Sequence, residues 1–313
     1  MEILNYVNFF KEKEPVGIVR YMEYTFDDEL VSDNGYKQLK LKMNYKPFEM
    51  IKTDIKINIT PDNEKYFNVS NIDGNAMISG VLRNELRHRI TKEIITKINF
   101  HAKTFIPKVN WFNRILNKIY KRENTLVLPN DFKEQVNLIF KTIMMELNGI
   151  FKATKIITKP FIITSPRIAT LLQDHHAFHL PIDNQQNYYQ TNSQVYVIGK
   201  IANITILVDS SQIENYLIVG LGSDQLGGIY YVYDKSLVDD KLELDVINRD
   251  GSNTVILKHS YAIVEANSEH RYSKINLSYC KPPFKQRALK FLRKWKLFNS
   301  DETKNITMSY PSV

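Results

Sequence analysis

One uninterrupted amphipathic stretch constrains the fold of this sequence more than any other feature. Between Ser70 and Phe105 there is no proline, and the only glycines are Gly74 and Gly80. Apolar residues recur at every fourth position and others widen the stripe: Ile78, Leu82, Leu86, Ile90, Ile94, Ile98 and Ala102, with Met77, Val81 and Ile95. The pattern predicts a helix of about 30 residues and about 45 Å, with Asp73 as its capping residue. A helix far longer than the average indicates a spine for the rest of the fold.

Two alternating stretches before this helix predict a two-stranded β-ribbon. They cover residues 36–45 and 50–60, and their apolar positions are Leu39, Leu41, Met43, Ile51, Ile55, Ile57 and Ile59. The short segment 44–48 predicts the turn between them. Because an isolated ribbon is marginally stable in water, we expect this one to lie against another surface. Residues 1–35 have no helical period and predict an extended arm.

The rest of the chain predicts a second long helix followed mainly by strands. Asp131 and Glu134 form a capping-box-like start for a helix that ends near Phe151. A buried strand is expected over 155–164, and Ser165–Pro166 predicts the cap and first residue of a short helix. Seven strands are then predicted: Val195–Ile198, Ile204–Val208, Tyr216–Leu221, Gly228–Tyr233, Leu242–Ile247, Thr254–Leu257 and Tyr261–Val264. The predicted fold class is α+β.

Composition excludes several classes of protein. Cys280 is the only cysteine, which excludes an intramolecular disulfide and a cysteine-based metal site. The first residues lack the features of a secretion signal, and no apolar run approaches the roughly 18 to 20 residues that span a bilayer. Lys and Arg outnumber Asp and Glu by 42 to 34, giving a formal charge of +8. This surplus favours acidic partners such as nucleic acid, although basic enzymes share it.

Two local patterns resemble a metal site and a phosphate-binding loop, and each has a simpler structural interpretation. His175, His176 and His179 form an H-H-x-x-H cluster, but the HExxH pattern of zinc proteases is absent, so we expect a polar loop. The glycine-rich run 220–228 lacks the lysine of a phosphate-binding loop and precedes a strand, so we expect a hairpin connection. No nucleophile motif occurs. The sequence therefore predicts no catalytic residue, no metal and no cofactor.

The final stretch predicts a basic amphipathic helix. After Pro282–Pro283, apolar residues recur at spacings of four and three: Phe284, Ala288, Phe291, Trp295 and Phe298. Six cations on its other faces are candidates for contact with DNA or a scaffold protein: Lys285, Arg287, Lys290, Arg293, Lys294 and Lys296. Such a helix docks its stripe on the protein's own body, presents its cations to phosphates or a partner, or lies on a membrane surface.

Four stretches, in this order, are similar to one known family: Asn75–Leu86 with Thr91–Ile95; Phe161–Leu172; Gly199 through Ile204–Asp209 and Asn215–Gly220 to Gly227–Tyr233; and Leu257–Val264. They resemble the spine helix, the strand–serine–helix segment, the consecutive strands and the closing strand of the T-even-type major capsid and vertex proteins. Those proteins of tailed bacteriophages have the HK97-type fold. The order of arm, β-ribbon, long helix, second helix and β-rich end is also similar to that fold.

The resemblance implies a structural protein and not an enzyme. A chain of this kind assembles into the hexamers and pentamers of an icosahedral phage head that encloses double-stranded DNA. Its partners are other copies of itself, other capsid, portal or scaffold proteins, and packaged DNA contacted without sequence preference, with no membrane involved. It is expected in the virion, after assembly in the cytoplasm of a bacterial host. The ribbon residues expected to contact neighbouring subunits are Leu39, Leu41, Tyr45, Phe48, Ile55 and Ile57.

The resemblance also implies a division of the chain into five parts. These are an N-terminal arm (1–35), an extended β-ribbon or E-loop (36–68), a peripheral domain with the spine helix (69–130), an axial domain with returning peripheral strands (131–266) and a basic tail (267–313). The sequence is short for the family and shows neither a large inserted lobe nor a recognisable propeptide, so proteolytic maturation is not carried over. Two alternatives stay open: a pentameric vertex, minor capsid or encapsulin-like shell protein, and a basic DNA-binding or DNA-processing protein.

Overall fold

The computed structural model describes residues 3–31, 37–70, 73–107, 124–155, 158–180, 194–213, 215–234, 244–249 and 252–279. The helices in these ranges are α1 (Pro61–Val69), α2 (Gly74–His101), α3 (Phe132–Thr154) and α4 (Pro166–Gln173), preceded by a 3-10 turn at Ile3–Tyr6. Their strands form three sheets. Among the described residues, no helix is both long and apolar enough to cross a membrane.

The predicted spine helix is confirmed as α2, which has 28 residues. The Asp73 carboxylate accepts a hydrogen bond from the Ala76 amide at 3.1 Å and so caps its start as expected. Met77 and Val81, which were predicted to widen the stripe, are instead about half exposed. The stripe residues at every fourth position from Ile78 to Ile98 are all buried. They pack against Val255, Leu257 and neighbouring residues, which makes α2 one side of the largest apolar cluster.

The first sheet is built around one long strand. It contains β1 (Asn8–Lys11), β4 (Ile51–Ile59), β12 (Gly228–Tyr233), β13 (Leu244–Arg249) and β14 (Ser252–Ala266). Antiparallel partners of β14 are β4, β12 and β13, and β1 pairs in parallel with β12. The two strands predicted at 254–257 and 261–264 are thus one continuous strand, because β14 has partners along its whole length.

The second sheet has eight strands. Seven of them follow one another in the order β5 (Lys103–Thr104), β15 (Tyr272–Tyr279), β11 (Tyr216–Leu221), β7 (Pro160–Thr164), β10 (Ile204–Asp209), β9 (Val195–Ile201) and β8 (Phe178–His179). The eighth, β6 (Thr125–Leu128), also pairs with β15. Both faces of this sheet are covered. Phe161 and Ile163 of β7 join the cluster with α2, whereas Ile162 joins a second cluster with α3 and α4. Burial on both faces explains why β7 is a continuous apolar run.

The third sheet is a ribbon made of β2 (Val16–Val31) and β3 (Lys37–Glu49). The ribbon predicted from the stretches 36–45 and 50–60 is therefore wrong in its pairing. β3 runs straight through the predicted turn at 44–48 and pairs with β2 from the predicted arm, while β4 pairs with β14. Alternation of apolar residues specifies a strand but not its partner, so either pairing satisfied the pattern.

Of the remaining predictions about the fold, those for two helices are confirmed and those for the two ends of the chain are corrected. The helices predicted from Asp131 and from Ser165–Pro166 are confirmed, and the Asp131 carboxylate accepts a hydrogen bond from the Glu134 amide at 3.0 Å. Residues 1–35 are not simply an arm, since they contain β1 and β2. Residues 267–313 are not simply a tail, since β15 lies within the second sheet. The α+β class is confirmed, and the division into five parts otherwise stays a prediction.

We predict that Leu86→Ala lowers the free energy of unfolding by about 2–5 kcal/mol, because the side chain is fully buried in α2 and its removal leaves a cavity. Urea denaturation followed by circular dichroism measures this. The matched control is Val81→Ala on the exposed side of the same helix, expected to change stability by less than about 1 kcal/mol. Equal losses for the two variants would contradict the role of α2 as the spine of the core.

Candidate functional site

The ribbon of β2 and β3 has one apolar and one polar face. One face carries the cross-strand pairs Ile18–Pro47, Arg20–Tyr45, Met22–Met43, Tyr24–Leu41 and Phe26–Leu39, and the other carries Val19–Lys46, Tyr21–Asn44, Glu23–Lys42, Thr25–Lys40 and Asp27–Gln38. Successive residues of a strand alternate between the two faces. All positions of the first set except Arg20 are apolar or aromatic, so the ribbon is amphipathic along its length.

Most described side chains on the apolar face of the ribbon are open to solvent in the single subunit. Leu41, Met43 and Tyr45 are 64%, 53% and 56% exposed, and Val16 and Ile18 near the base are also exposed. A contiguous apolar surface of this kind is typical of a protein–protein contact. The candidate site is therefore a surface, and its strongest feature is the apolar face of the ribbon.

The base of the ribbon is fixed to the subunit through its other face. Val19 and Phe48 are buried and pack, with Met50, against Val232 and Ala262 of the first sheet. Gly17 is the cross-strand partner of Phe48, and a Cβ atom at Gly17 would lie 2.7 Å from Cζ of that ring. A side chain at Gly17 would therefore have to displace the buried aromatic ring of Phe48.

A second attachment joins the ribbon to the loop 222–228. The Met22 amide donates a hydrogen bond to the Gln225 carbonyl oxygen at 2.9 Å. Within the described part of the chain, β2 and β3 otherwise pair only with each other as strands. The described attachments of the ribbon to the rest of the subunit thus lie between its base and Met22.

The loop 222–228 is organised by a buried ion pair. The Arg271 side chain is 1% exposed, and its Nη2 lies 2.9 Å from Oδ1 of Asp224. Of the other guanidinium nitrogens, Nη1 donates to the carbonyl oxygen of Gly222 at 3.3 Å and Nε to that of Asn267 at 3.1 Å. A buried guanidinium is stable only when its donors are satisfied, and here Nε and both terminal nitrogens have acceptors.

Asp224 connects several distant segments through its backbone and side chain. Its carbonyl oxygen accepts hydrogen bonds from Asn8 Nδ2 at 2.6 Å and from the Tyr230 hydroxyl at 3.0 Å, and its carboxylate accepts from the Leu226 amide at 2.9 Å. Burial raises the pKa of Tyr230, which keeps that hydroxyl protonated as a donor. The N-terminal segment is thus bonded to the same loop that holds the ribbon.

The glycines of this loop are required by close packing. Gly227 and Gly228 have φ angles of +135° and +114°, and a Cβ atom would lie 2.5 Å from the Ala266 oxygen and 2.4 Å from Ser223 Oγ respectively. The hairpin predicted for 220–228 is wrong as stated. β11 and β12 do not pair; the loop carries the chain from the second sheet to the first, and only a tight turn between Asp224 and Gly227 resembles a hairpin.

Comparison with known proteins decides the family. The family model described as "Major capsid protein Gp23" matches residues 14–274, which is most of the chain. The chain belongs to this family. It is a structural capsid protein of a bacteriophage, and its place is the virion.

Similar solved structures include a chain from Microbacterium phage Oxtober96, with 10% identity, a TM-score of 0.49 and coverage of 88% of this chain and 91% of that one. A chain of the satellite phage P4 procapsid that includes the size determination (Sid) protein has 9% identity, a TM-score of 0.46 and coverage of 90% and 95%. A chain of the bacteriophage PhiM1 mature capsid has 9% identity, a TM-score of 0.42 and coverage of 87% and 86%. No curated protein sequence matches this chain.

The six residues that were predicted to contact neighbouring subunits of this capsid protein lie in different environments in the structure. Leu41 and Tyr45 lie exposed on the apolar face, and Leu39 has its register position on that face, although its side chain lies outside the described part. The prediction is wrong for Phe48 and Ile55, which are buried in the subunit's own clusters. Phe48 lies at the end of β3 that packs on the first sheet, and Ile55 lies in the middle of β4, a strand of that sheet that packs against α2. Ile57 is half-buried against the same core as Ile55.

Sequence reasoning missed several residues of the capsid subunit's apolar face. Val16, Ile18 and Met22 belong to β2, and the alternation in Val16–Phe26 was an available signal, hidden by the interpretation of residues 1–35 as an arm. The ion pair of Arg271 and Asp224 had no sequence signal. The two residues are 47 positions apart, and nothing in the glycine-rich run that contains Asp224 points to Arg271.

The remaining candidates fall into two groups. His175 is buried, its ring lies 4.1 Å from that of Phe140 and 4.2 Å from that of His176, and its Nδ1 accepts from the Ala177 amide at 3.1 Å. Burial, and then the neighbouring His176, lower the pKa of His175, so it packs as a neutral ring. The cations of the predicted tail lie outside the described residues: Lys285, Arg287, Lys290, Arg293, Lys294 and Lys296.

We predict that Asp224→Ala lowers the free energy of unfolding by about 3–5 kcal/mol, because it leaves the Arg271 guanidinium buried without its partner. Chemical denaturation of the unassembled subunit measures the loss. The matched control is Glu85→Ala, which breaks an ion pair with Arg89 whose side chains are about half exposed, and we expect a loss of about 0.5 kcal/mol or less. If the two variants cost the same, the junction at Arg271 does not stabilise the subunit.

Proposed function

We propose that the subunit builds the hexamers and pentamers of an icosahedral head by laying the apolar face of its ribbon on a neighbouring copy. The observation that carries this is the exposure of Leu41, Met43 and Tyr45 on a ribbon whose base is fixed by Val19 and Phe48. Fully burying one large apolar side chain contributes about 1.5–3 kcal/mol. When a neighbouring copy covers this face, the burial of several side chains therefore contributes to the free energy of the contact.

Repetition makes such a contact sufficient for a shell. Forming one ribbon contact also removes rotational freedom from the subunits and orders their side chains. The binding free energy of a single pair of subunits is therefore smaller than the gain from burial alone. In a closed shell each subunit both gives and receives contacts, and multivalency strengthens every one of them. The attachment of Met22 to the loop 222–228 supports this arrangement, because a ribbon fixed at its base loses less conformational entropy when it docks.

The head proposed here encloses double-stranded DNA, and the basic character of the chain suits that content. A formal charge of +8 supplies counter-charge to packaged phosphates without recognising their base sequence. We further propose contacts with portal and scaffold proteins, assembly in the cytoplasm of the bacterial host, and a structural role without catalysis. The six cations of the tail are the proposed contacts with DNA or a scaffold.

The ribbon proposal predicts that replacing both Leu41 and Met43 by Gln abolishes shell formation and leaves the subunit folded. Both side chains are exposed in the single subunit, so we expect its free energy of unfolding to change by less than about 1 kcal/mol. Sedimentation velocity and negative-stain electron microscopy measure assembly, and urea denaturation measures folding.

The control for that variant is Lys42→Gln with Lys46→Gln, two exposed positions on the polar face of the same strand. This pair tests whether any change in the ribbon is enough to stop assembly. We expect shells from the lysine variant and none from the apolar one. Normal particles from the Leu41 and Met43 variant would refute the ribbon contact.

The DNA contact predicts that Lys290→Gln, Arg293→Gln and Lys294→Gln together lower the DNA content per particle without stopping assembly, because three counter-charges to phosphate are lost. The ratio of absorbance at 260 and 280 nm of purified heads measures it. The charge-matched control replaces Lys52, Lys56 and Lys133, which are exposed outside the tail. An unchanged DNA content in the tail variant, or the same decrease in both, would reject a specific role for the tail.

A further inference from the structure

A groove of about 670 Å³ runs along one side of α3. One wall consists of α3 residues between Leu138 and Ala153, and the facing wall consists of Phe105, Ile106 and Pro107, which follow β5. The floor is formed by Leu126 of β6 and by the start of β15. The groove therefore lies over the edge of the second sheet where β5, β6 and β15 meet α3.

The surface of this groove is mainly apolar and open. Met145 and Ile106 are 54% and 66% exposed on its two walls. Its acidic residue, Glu146, already accepts a hydrogen bond from the Ser273 hydroxyl. Lys103 and Lys141, both exposed, lie among the lining residues. An occupant must thus offer apolar side chains to the walls and keep any cations away from these lysines.

We propose that the groove receives the chain's own C-terminal segment, residues 284–298. The described chain ends at Tyr279, the last residue of β15, which pairs with Leu128 at the end of β6. Three residues after Leu128 stands Asp131, the cap of α3. The tail therefore departs beside the beginning of α3, at the end of the groove lined by Leu126 and Leu138.

The length and direction of the tail fit this groove. Pro282–Pro283 cannot continue a central strand and favours a change of chain direction after β15. The predicted helical stripe from Phe284 to Phe298 would be about 21 Å long, and the wall from Leu138 to Ala153 is about 22 Å long, at 1.5 Å per residue. A single helix returning along α3 would cover the groove from one end to the other.

The side chains are complementary in size. Gly149 and Ala153 form a shallow part of the α3 wall, and a Cβ atom added at Gly149 would meet no atom within 4 Å. The stripe of the tail offers large aromatic groups, among them Phe291 and Trp295. Two helices interdigitate when large side chains of one helix face small residues of the other. The cations of the tail lie on its other faces and would point outward, away from Lys103 and Lys141.

Tryptophan fluorescence tests this docking, because the chain has only two tryptophans. In a Trp111→Phe background Trp295 is the sole tryptophan, and it is excited selectively at a wavelength that tyrosine does not absorb. We expect its emission in the full-length, unassembled subunit to be blue-shifted and shielded from acrylamide. Gly149→Phe, which fills the groove, should move the emission to that of the urea-unfolded chain. The matched control is Gly80→Phe on α2, where an added Cβ also meets no atom within 4 Å, and it should leave the emission unchanged.

Disulfide trapping gives a second measurement that does not depend on the folding of the Gly149 variant. In a Cys280→Ser background, Met145→Cys on the groove wall and Phe291→Cys on the tail should form an intramolecular disulfide under mild oxidation. Non-reducing electrophoresis and mass spectrometry identify it. The pair Val81→Cys and Phe291→Cys, with one cysteine on the exposed side of α2, is the control and should not be joined.

Each other outcome overturns the proposal in a definite way. Solvent-like emission from Trp295, or emission unaffected by Gly149→Phe, excludes the groove as its place. A response to Gly149→Phe by Trp111 in a Trp295→Phe background assigns the groove to segment 108–123 instead. Cross-linked dimers assign it to the tail of a second copy. Because the subunit is unassembled throughout, these results are independent of whether the ribbon builds the shell.

Discussion

The geometry of the loop that joins the two large sheets depends on the ion pair between Arg271 and Asp224. Taking a guanidinium out of water costs several kcal/mol, and this cost is offset only where geometry is good and the remaining donors are bonded. Both conditions hold, since Arg271 also donates to the carbonyl oxygens of Gly222 and Asn267. The result is one defined geometry for a loop that leaves the second sheet, enters the first and bonds to the ribbon at Met22.

The helices were predictable because their information is local. A stripe repeating every fourth residue from Ile78, with a capping carboxylate at Asp73, specifies α2 without reference to anything distant. Strand pairing is not local. The alternation in β4 suited the ribbon as well as the first sheet, and Pro47 suggested a turn although a proline is tolerated in a strand without a second partner.

The candidate surface was predictable to the extent that its residues alternate. Leu41 and Tyr45 were identified because β3 keeps a strict period of two, whereas Phe48 shares that strand but faces the body of the subunit. The same period places Phe48 on the face opposite Leu41 and Tyr45, but no local pattern shows that this face packs on the first sheet. The same reason explains why Ile55 was expected at an interface and instead covers α2, since burial depends on which distant segments lie on either side.

An exposed apolar ribbon is a liability in a single subunit, because edge strands and apolar patches invite non-specific association. The structure restricts how this ribbon can be covered. Val19 and Phe48 hold the opposite face against the subunit's own first sheet, so at the base the apolar face points away from that sheet. The ribbon cannot turn over without exposing those two buried side chains. At its base the apolar face is therefore not covered by the subunit's own first sheet, and the partner that we propose for it is a second copy of the chain.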